Sequence, residues 1–463
     1  MISGRKKDLF ESSSVFSAIL QLAIPTMIGQ IIMVVYNMAD TFFIGQTGSD
    51  AMIAAATVCM PAFMFLSAIS NLFGVGGSSA IARALGRHKN DRARLCSSFS
   101  FYGCLIVTLL YALGVFLFLD KMVYLLGGHD PEVHAYAKQY MIITVILGSL
   151  PASMNALLAH LIRSEGRSLH AAVGVALGGI LNILLDPLFM FVLLPKGQEI
   201  RGAAIATTLS NVASLLYFTL VIYAGRKKSV LSFKISHEVL KDSIPREILL
   251  IGLPACCMTL CENISYAVMD ALVAGQGLTY QAGLGVAKKV NMLAHCIVRG
   301  ISQGVLPLIA YNYASKNSKR MYNALRLSVM LSVIMATLCT IASLLLSRGL
   351  IGVFIHHASA SLDYGSVFLR ILCIGGPFSA LAYMLISFFQ AVERGQQSLI
   401  LALLRKGILD IPLLFLLNFL FPPFGLAWAT PIADIFCSVV AILLFLKFLH
   451  HHTKIQPILD HNE

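Results

Sequence analysis

Four aspartates sit inside apolar runs of this chain, and they come as two matched pairs. Asp40 in ADTFFIGQ stands five residues before Gly45-Gln46, as Asp270 in MDALVAGQ stands five before Gly275-Gln276; Asp186 in NILLDPLF is echoed by Asp410 in GILDIPLLF. A carboxylate in hydrocarbon costs roughly 2.5–3.5 kcal/mol on insertion scales, so an acid placed there is a functional candidate by default. The chemistry open to it is proton or cation exchange. Burial and hydrogen bonding pull its proton affinity in opposite directions, and a carboxylate balanced between them can load a proton on one side of a barrier and lose it on the other. Helical spacing supplies partners: Tyr36 lies one turn before Asp40 and Asn182 one turn before Asp186, so each couple shares a helix face. Glu262, Asp434 and His295 are further ionisable groups in apolar runs. Packing offers its own explanations. Asp186 precedes Pro187 and suits a helix end, and Asp410 follows Arg405 and Lys406, which points to a structural ion pair.

Charge inside hydrocarbon needs a scaffold of membrane helices. With 57% hydrophobic and 12% charged residues and a mean hydropathy of +0.80, this is no soluble globular domain, where about 25% of residues are charged. Apolar runs of about twenty residues recur along the chain, the length that crosses a roughly 30 Å hydrocarbon core as helix. Spans are expected at 15–44, 51–75, 95–119, 135–162, 168–194 and 202–224, then at 246–272, 283–310, 322–347, 364–390, 398–421 and 425–449.

The two sets of six repeat one another. Pro25 is matched by Pro254, Pro151 by Pro377, and Gly202-x-Ala-x-Ala-Thr207 by Gly425-x-Ala-x-Ala-Thr430, at an offset that shortens by a few residues along the chain. The expected organisation is an N-lobe at 1–224 with spans 1–6, a cytoplasmic linker at 225–245, a C-lobe at 246–449 with spans 7–12, and a cytoplasmic tail at 450–463 that includes His450-His451-His452. Six spans return the chain to its starting side, so the halves share one orientation about a pseudo-twofold axis along the membrane normal, with a cavity between them. Duplicated halves with mid-span charge mark a secondary transporter. Prolines within spans free backbone carbonyls and permit bending, and Pro25 with Pro254 is the candidate hinge pair.

The net charge of +12 gathers in alternate loops, at Arg5/Lys6/Lys7, Arg83/Arg87/Lys89/Arg92/Arg94, Arg163/Arg167, Arg226/Lys227/Lys228/Lys234/Lys241/Arg246, Lys316/Lys319/Arg320, Arg394/Arg405/Lys406 and Lys447/Lys454. This is the positive-inside bias of a membrane protein rather than a nucleic-acid footprint, and it puts both termini in the cytoplasm. A cleavable signal peptide is not expected, because the first apolar run outlasts the usual 7–15-residue core of one. Lys288 and Lys289 are expected to snorkel to the interface. Cys256-Cys257-x3-Cys261 has no histidine or second cysteine pair at ligand spacing, and the ten cysteines read as small hydrophobes. FGVGGSS (73–79) is not followed by Lys-Ser/Thr and the chain contains no Gly-Lys, so there is no phosphate-binding loop for ATP; the glycines suit close helix contact. Transport must then draw on ion gradients, at about 2.3 kcal/mol per charge per 100 mV.

Taken together, several stretches resemble the multidrug and toxic compound extrusion (MATE) transporters over nearly the whole chain. They are LAIPTMIGQIIMVVYNMADTFFIG, NLFGVGGSSAIARALGRHKNDRA and GGILNILLDPLFMFV in the first half, with IGLPACCMTLCENISYAVMDALVAGQG, GVLPLIAYNYASKN and FQAVERGQQSL in the second. Within the family the chain is most similar to the bacterial MepA-like branch, which has acids in spans 1 and 5. The resemblance implies an all-α integral membrane protein with twelve transmembrane helices in two pseudo-symmetric six-helix bundles, forming a V around a central cavity. It implies export of amphipathic, often cationic compounds in exchange for protons, with sodium ions the less favoured coupling ion. No catalytic residue, bound metal or cofactor is expected, nor a nucleic-acid partner; the expected form is a monomer in membrane lipid.

Residue by residue, the resemblance carries Tyr36, Asp40, Asn155, Asn182, Asp186 and Thr207 over as the N-lobe cation and proton site. Glu262 matches an acidic position of another branch, where sodium coupling is usual; the span 10 aspartate of that branch has no counterpart in 364–390. Glu262, Asp270 and Asp410 stand as substrate-binding or secondary acidic candidates. A lipid-linked precursor flippase of the same superfamily is the alternative within transport, but its cavity is lined with cations where these lobes offer carboxylates. An integral membrane enzyme would need His and Asp clustered at an interface, and no such motif is present.

Overall fold

The computed structural model describes residues 4–227, 229–234, 238–241, 243–355 and 360–460, and among these there is no strand. Among the described residues, nine helices are long and apolar enough to cross a membrane. In the N-lobe they are Val15–Gly45 (span 1), Asp50–Gly86 (span 2), Asn90–Leu117 (span 3), Ser168–Leu193 (span 5) and Glu199–Gly225 (span 6); in the C-lobe they are Ile244–Ala274 (span 7), Leu278–Ala314 (span 8), Ser318–Gly352 (span 9) and Gly425–His451 (span 12). Two bent pairs supply span 4, Pro131–Leu147 with Ser149–Ser164 at 48°, and span 10, Ala360–Ile374 with Gly376–Ala391 at 43°.

Length and apolarity therefore mark eleven spans among the described residues, not twelve. The difference is the expected span at 398–421, which forms in three pieces, Gly395–Leu403, a π turn at Leu404–Ile408, and Asp410–Leu420 (span 11). Arg405, Lys406 and Asp410 lie in its middle and lower its apolarity, yet all three are buried. Adjacent Arg405 and Lys406 lie in the π turn, and both are turned inward.

Bends fall near Pro151 and Pro377 rather than at Pro25 and Pro254, both of which lie inside continuous helices. Pro377 cannot donate to the carbonyl of Cys373, and Thr340 of span 9 donates to that oxygen instead, at 2.8 Å. Thr208 of span 6 donates to Ile143 O beside the span 4 break, at 3.2 Å.

Span 2 runs to Gly86, well past its expected end at 75. Its glycine-rich turn stays helical because it packs against span 7. A Cβ on Gly76 would stand 2.2 Å from Ile248 O, and one on Gly252 would stand 1.7 Å from Leu72 O. Span 1 meets span 8 in the same way at Gly300 and Gly304, against Met27 and Leu22. Gly252→Val is thus expected to destabilise the lobe seam by about 1–3 kcal/mol, the usual overpacking cost. A lowered unfolding temperature of the detergent-purified protein checks it, with Gly285→Ala, where a Cβ meets nothing, as the silent control.

The seam lies toward the end that carries the basic loops. One hydrophobic core crosses both lobes there and includes Leu22, Val75, Ile248 and Leu308. Toward the opposite end the core divides into one cluster made only of N-lobe residues and another made only of C-lobe residues. The result is a V that is closed at the basic end. Buried Arg83 bonds Glu247 at 2.7 Å and Glu393 at 2.8 Å, and Arg87 and Arg92 reach the same two acids from the surface. The short helix Gly4–Glu11 joins this closure: Phe10 stacks on Tyr311 at 5.0 Å, and Arg320 donates to the carbonyls of Phe10 and Ser13 at 2.7 Å.

The linker is more than a polar tether. Val230 and Leu231 are buried, Glu165 accepts from Ser229 Oγ and Val230 N–H, and Ser97 and Ser98 donate to Ser232 O. Lys228, residues 235–237 and residue 242 of the linker lie outside the described residues, as do 461–463 of the tail. Span 12 continues as helix to Asp460, into the expected tail.

Candidate functional site

In the N-lobe, spans 1, 4, 5 and 6 bring the expected residues together. Asp186 is fully buried, and Asn182, one turn earlier, donates from one amide nitrogen to Asp186 Oδ1 and Thr207 Oγ1, both at 3.2 Å. Asn155 joins through a residue that sequence reading missed: its Nδ2 donates to Asn211 Oδ1 at 3.1 Å, and Asn211 donates to the Thr207 carbonyl at 2.9 Å. Asp40 lies within electrostatic reach of Asp186, and both act on Tyr36 and on buried Tyr140, a second residue missed from sequence. Both omissions are uncharged side chains among other polar residues, Tyr140 after Lys138-Gln139 and Asn211 after Ser210, and they gave no signal of their own.

The unmet valences of this cluster all have one sign. Asp40 Oδ1, Asp186 Oδ2, Asn182 Oδ1 and Asn155 Oδ1 are each buried without a hydrogen-bond partner. All four are acceptors. Among the described residues, neither Asp40 nor Asp186 forms an ion pair, so the cluster has two carboxylates and no protein cation to balance them. What would complete such a set is a proton or a small cation.

The C-lobe repeats the frame with one decisive change. Asp410 corresponds to Asp186 and Thr430 to Thr207, and Thr430 donates to Asp410 Oδ1 at 3.1 Å. One turn before Asp410, where the N-lobe has Asn182, stands Lys406, whose Nζ lies 3.1 Å from Asp410 Oδ2; Ser265 donates to the same oxygen. The ammonium sits where the N-lobe has an amide. Arg405 turns instead to Asp434, at 2.6 Å with both side chains 1% exposed, and stacks over the Tyr383 ring at 4.0 Å. Asp270 is exposed and pairs with Lys288, which also lies 5.4 Å from the Tyr266 ring. A carboxylate on the neighbouring span thus holds the Lys288 ammonium near the end of span 7. His295 is 3.4 Å from Ser379 Oγ.

Glu262 faces a small cleft between the lobes, with a volume of about 60 Å³. Arg299 pairs with it, and Tyr383 OH accepts from Arg299 Nε at 3.0 Å. Arg299 went unremarked in the sequence, although an arginine in an apolar run is a flag on the same grounds as an aspartate. Span 10 begins before its expected start and so includes Asp363, which stands at the span's end and pairs with exposed Arg348 at 3.1 Å.

A multi-pass helical protein with paired lobes, a cleft between them and a carboxylate cluster inside one lobe is built as a membrane transporter, not an enzyme. The chain belongs to the MATE family: the MatE family model matches residues 25–188 and again 254–416, once in each lobe. It is 30% identical over 94% of its length, and 94% of theirs, to "Multidrug export protein MepA" of Staphylococcus saprophyticus, and 29% identical at the same coverage to the protein of that name from Staphylococcus aureus. The solved structure described as the outward-facing conformation of a multidrug resistance MATE family transporter has the same fold, with a TM-score of 0.88 over 98% of this chain and 100% of that one at 23% identity.

Proposed function

We propose that this chain is a secondary active multidrug exporter. It expels amphipathic, often cationic compounds across the bacterial inner membrane in exchange for protons, by alternating access, as a monomer with both termini in the cytoplasm. The observation that carries this reading is the N-lobe cluster, with two carboxylates, orphan acceptors and no balancing cation. The relatives, named as multidrug export proteins, support the direction and the cargo.

Protons are favoured over sodium because Glu262, the acid a sodium-coupled branch would use, is already held by Arg299, and Asp363 stands at a span end with its own arginine. With the basic loops in the cytoplasm, the closed end of the V faces inward and the cleft opens outward, the posture of release. A proton arriving from outside halves the negative charge of the Asp40/Asp186 pair and favours departure of the cargo. Its entry down a 100 mV potential contributes about 2.3 kcal/mol.

Ethidium transport in everted vesicles tests the reading. Accumulation is expected to collapse when the pH gradient is dissipated and to persist when sodium is removed. The opposite pattern would reassign the coupling ion, and indifference to both treatments would defeat antiport altogether.

A further inference from the structure

The interlobe cleft contains one carboxylate and one guanidinium, those of Glu262 and Arg299, and they are spent on each other. The pair stays within reach of a ligand, with side chains 12% and 27% exposed. Tyr383 can remain with either group if they part: its hydroxyl accepts from Arg299 Nη2 at 2.8 Å and lies 3.4 Å from Glu262 Oε1. Behind them, Arg405 is matched by Asp434 and Lys406 by Asp410, so neighbouring charges are balanced and sealed.

This arrangement discriminates by charge type. A simple cation docking on Glu262 must displace Arg299 and strand a guanidinium in a low-dielectric site. A simple anion docking on Arg299 strands Glu262. Breaking a buried pair by removing one partner is strongly unfavourable, because it leaves an uncompensated charge. A zwitterion avoids both costs, since it replaces one internal pair with two intermolecular ones and leaves no charge alone.

We infer that the central cleft is a subsite for zwitterionic amphiphiles. The ligand ammonium docks on Glu262, its carboxylate on the forked donors of Arg299, and its apolar body on Val75, Met258, Leu306 and Ile386, which line the same cleft. The inference rests on the export reading and narrows which cargo this cleft selects.

The test measures binding to the purified protein in lipid nanodiscs without any gradient, so a failure of ion coupling cannot imitate a failure here. The probes are Nε-dansyl-lysine, a zwitterion at its α-carbon, its methyl ester, which is a cation, and its Nα-acetyl derivative, which is an anion. The zwitterion is expected to bind about tenfold or more tighter than either. Arg299→Met frees Glu262 and shifts the preference to the ester; Glu262→Gln frees Arg299 and shifts it to the acetyl derivative. The neutral double variant Glu262→Gln/Arg299→Met loses the ranking, and it guards against misfolding because no charge in it is left unpaired. Gly285→Ala, where an added Cβ meets nothing, keeps the ranking of the unmodified protein. Tightest binding of the ester by the unmodified protein, no binding of any probe, or a ranking unmoved by both single variants would overturn the subsite.

Discussion

Asp186→Asn is expected to reduce gradient-driven ethidium transport to the level of vesicles lacking the protein, with the amount of folded protein in the membrane unchanged. Asparagine preserves the shape of the side chain and the oxygen that accepts from Asn182 at 3.2 Å. It has neither a charge nor a proton to exchange. An aspartate that served only to end a helix before Pro187 would tolerate this replacement, so the variant separates the two roles. The expected loss is large because the cluster holds only two acids, and a lone Asp40 cannot share a proton with a neighbour. Transport is read by fluorescence in everted vesicles and folding by size-exclusion chromatography. Undiminished transport would remove Asp186 from coupling.

Lys406→Asn is expected to have the largest effect on stability. The substitution rebuilds the N-lobe pattern in the C-lobe, with Asn one turn before Asp and a threonine opposite. It also leaves Asp410, fully buried, without its cation. Removing one member of a buried pair costs about 3–5 kcal/mol, mostly through the stranded charge. The measurement is thermal unfolding of the purified protein, and the decisive comparison is Lys406→Asn/Asp410→Asn, which carries no stranded charge and should recover most of the loss. Equal destabilisation in the single and double variants would mean that Lys406 acts through packing alone.

These expectations depend on an asymmetry that the sequence only half disclosed. Both halves show an aspartate near a proline in the same register, and reading along the chain locates both. Asn182 before Asp186 and Lys406 before Asp410 are equally visible as residues one turn apart. It was not legible that Lys406 would turn inward together with its neighbour Arg405, because which side chains of a span face the core is set by its packing against other spans, and here both are buried. Glu262 was legible as an acid in hydrocarbon, but its neutralisation by Arg299 joins two spans whose rotation about their axes is fixed by packing. Asn211 and Tyr140 are uncharged and carry no signature of their own, and they entered the site only when spans 4 and 6 met.

The sequence by itself determined the membrane class, the two lobes and the paired aspartates, because insertion cost and helical period act along the chain and depend on composition and spacing. The tertiary structure alone decided which acids are left without a cation, which end of the V is closed, and what the cleft presents to a ligand. Each of those depends on a partner from a distant span, and the partner is selected by helix rotation, the π turn and glycine contacts that allow backbones to touch. In the C-lobe such partners balance Asp410, Asp434 and Glu262 internally. In the N-lobe, among the described residues, none pairs with Asp40 or Asp186, and the two carboxylates stand without a protein cation.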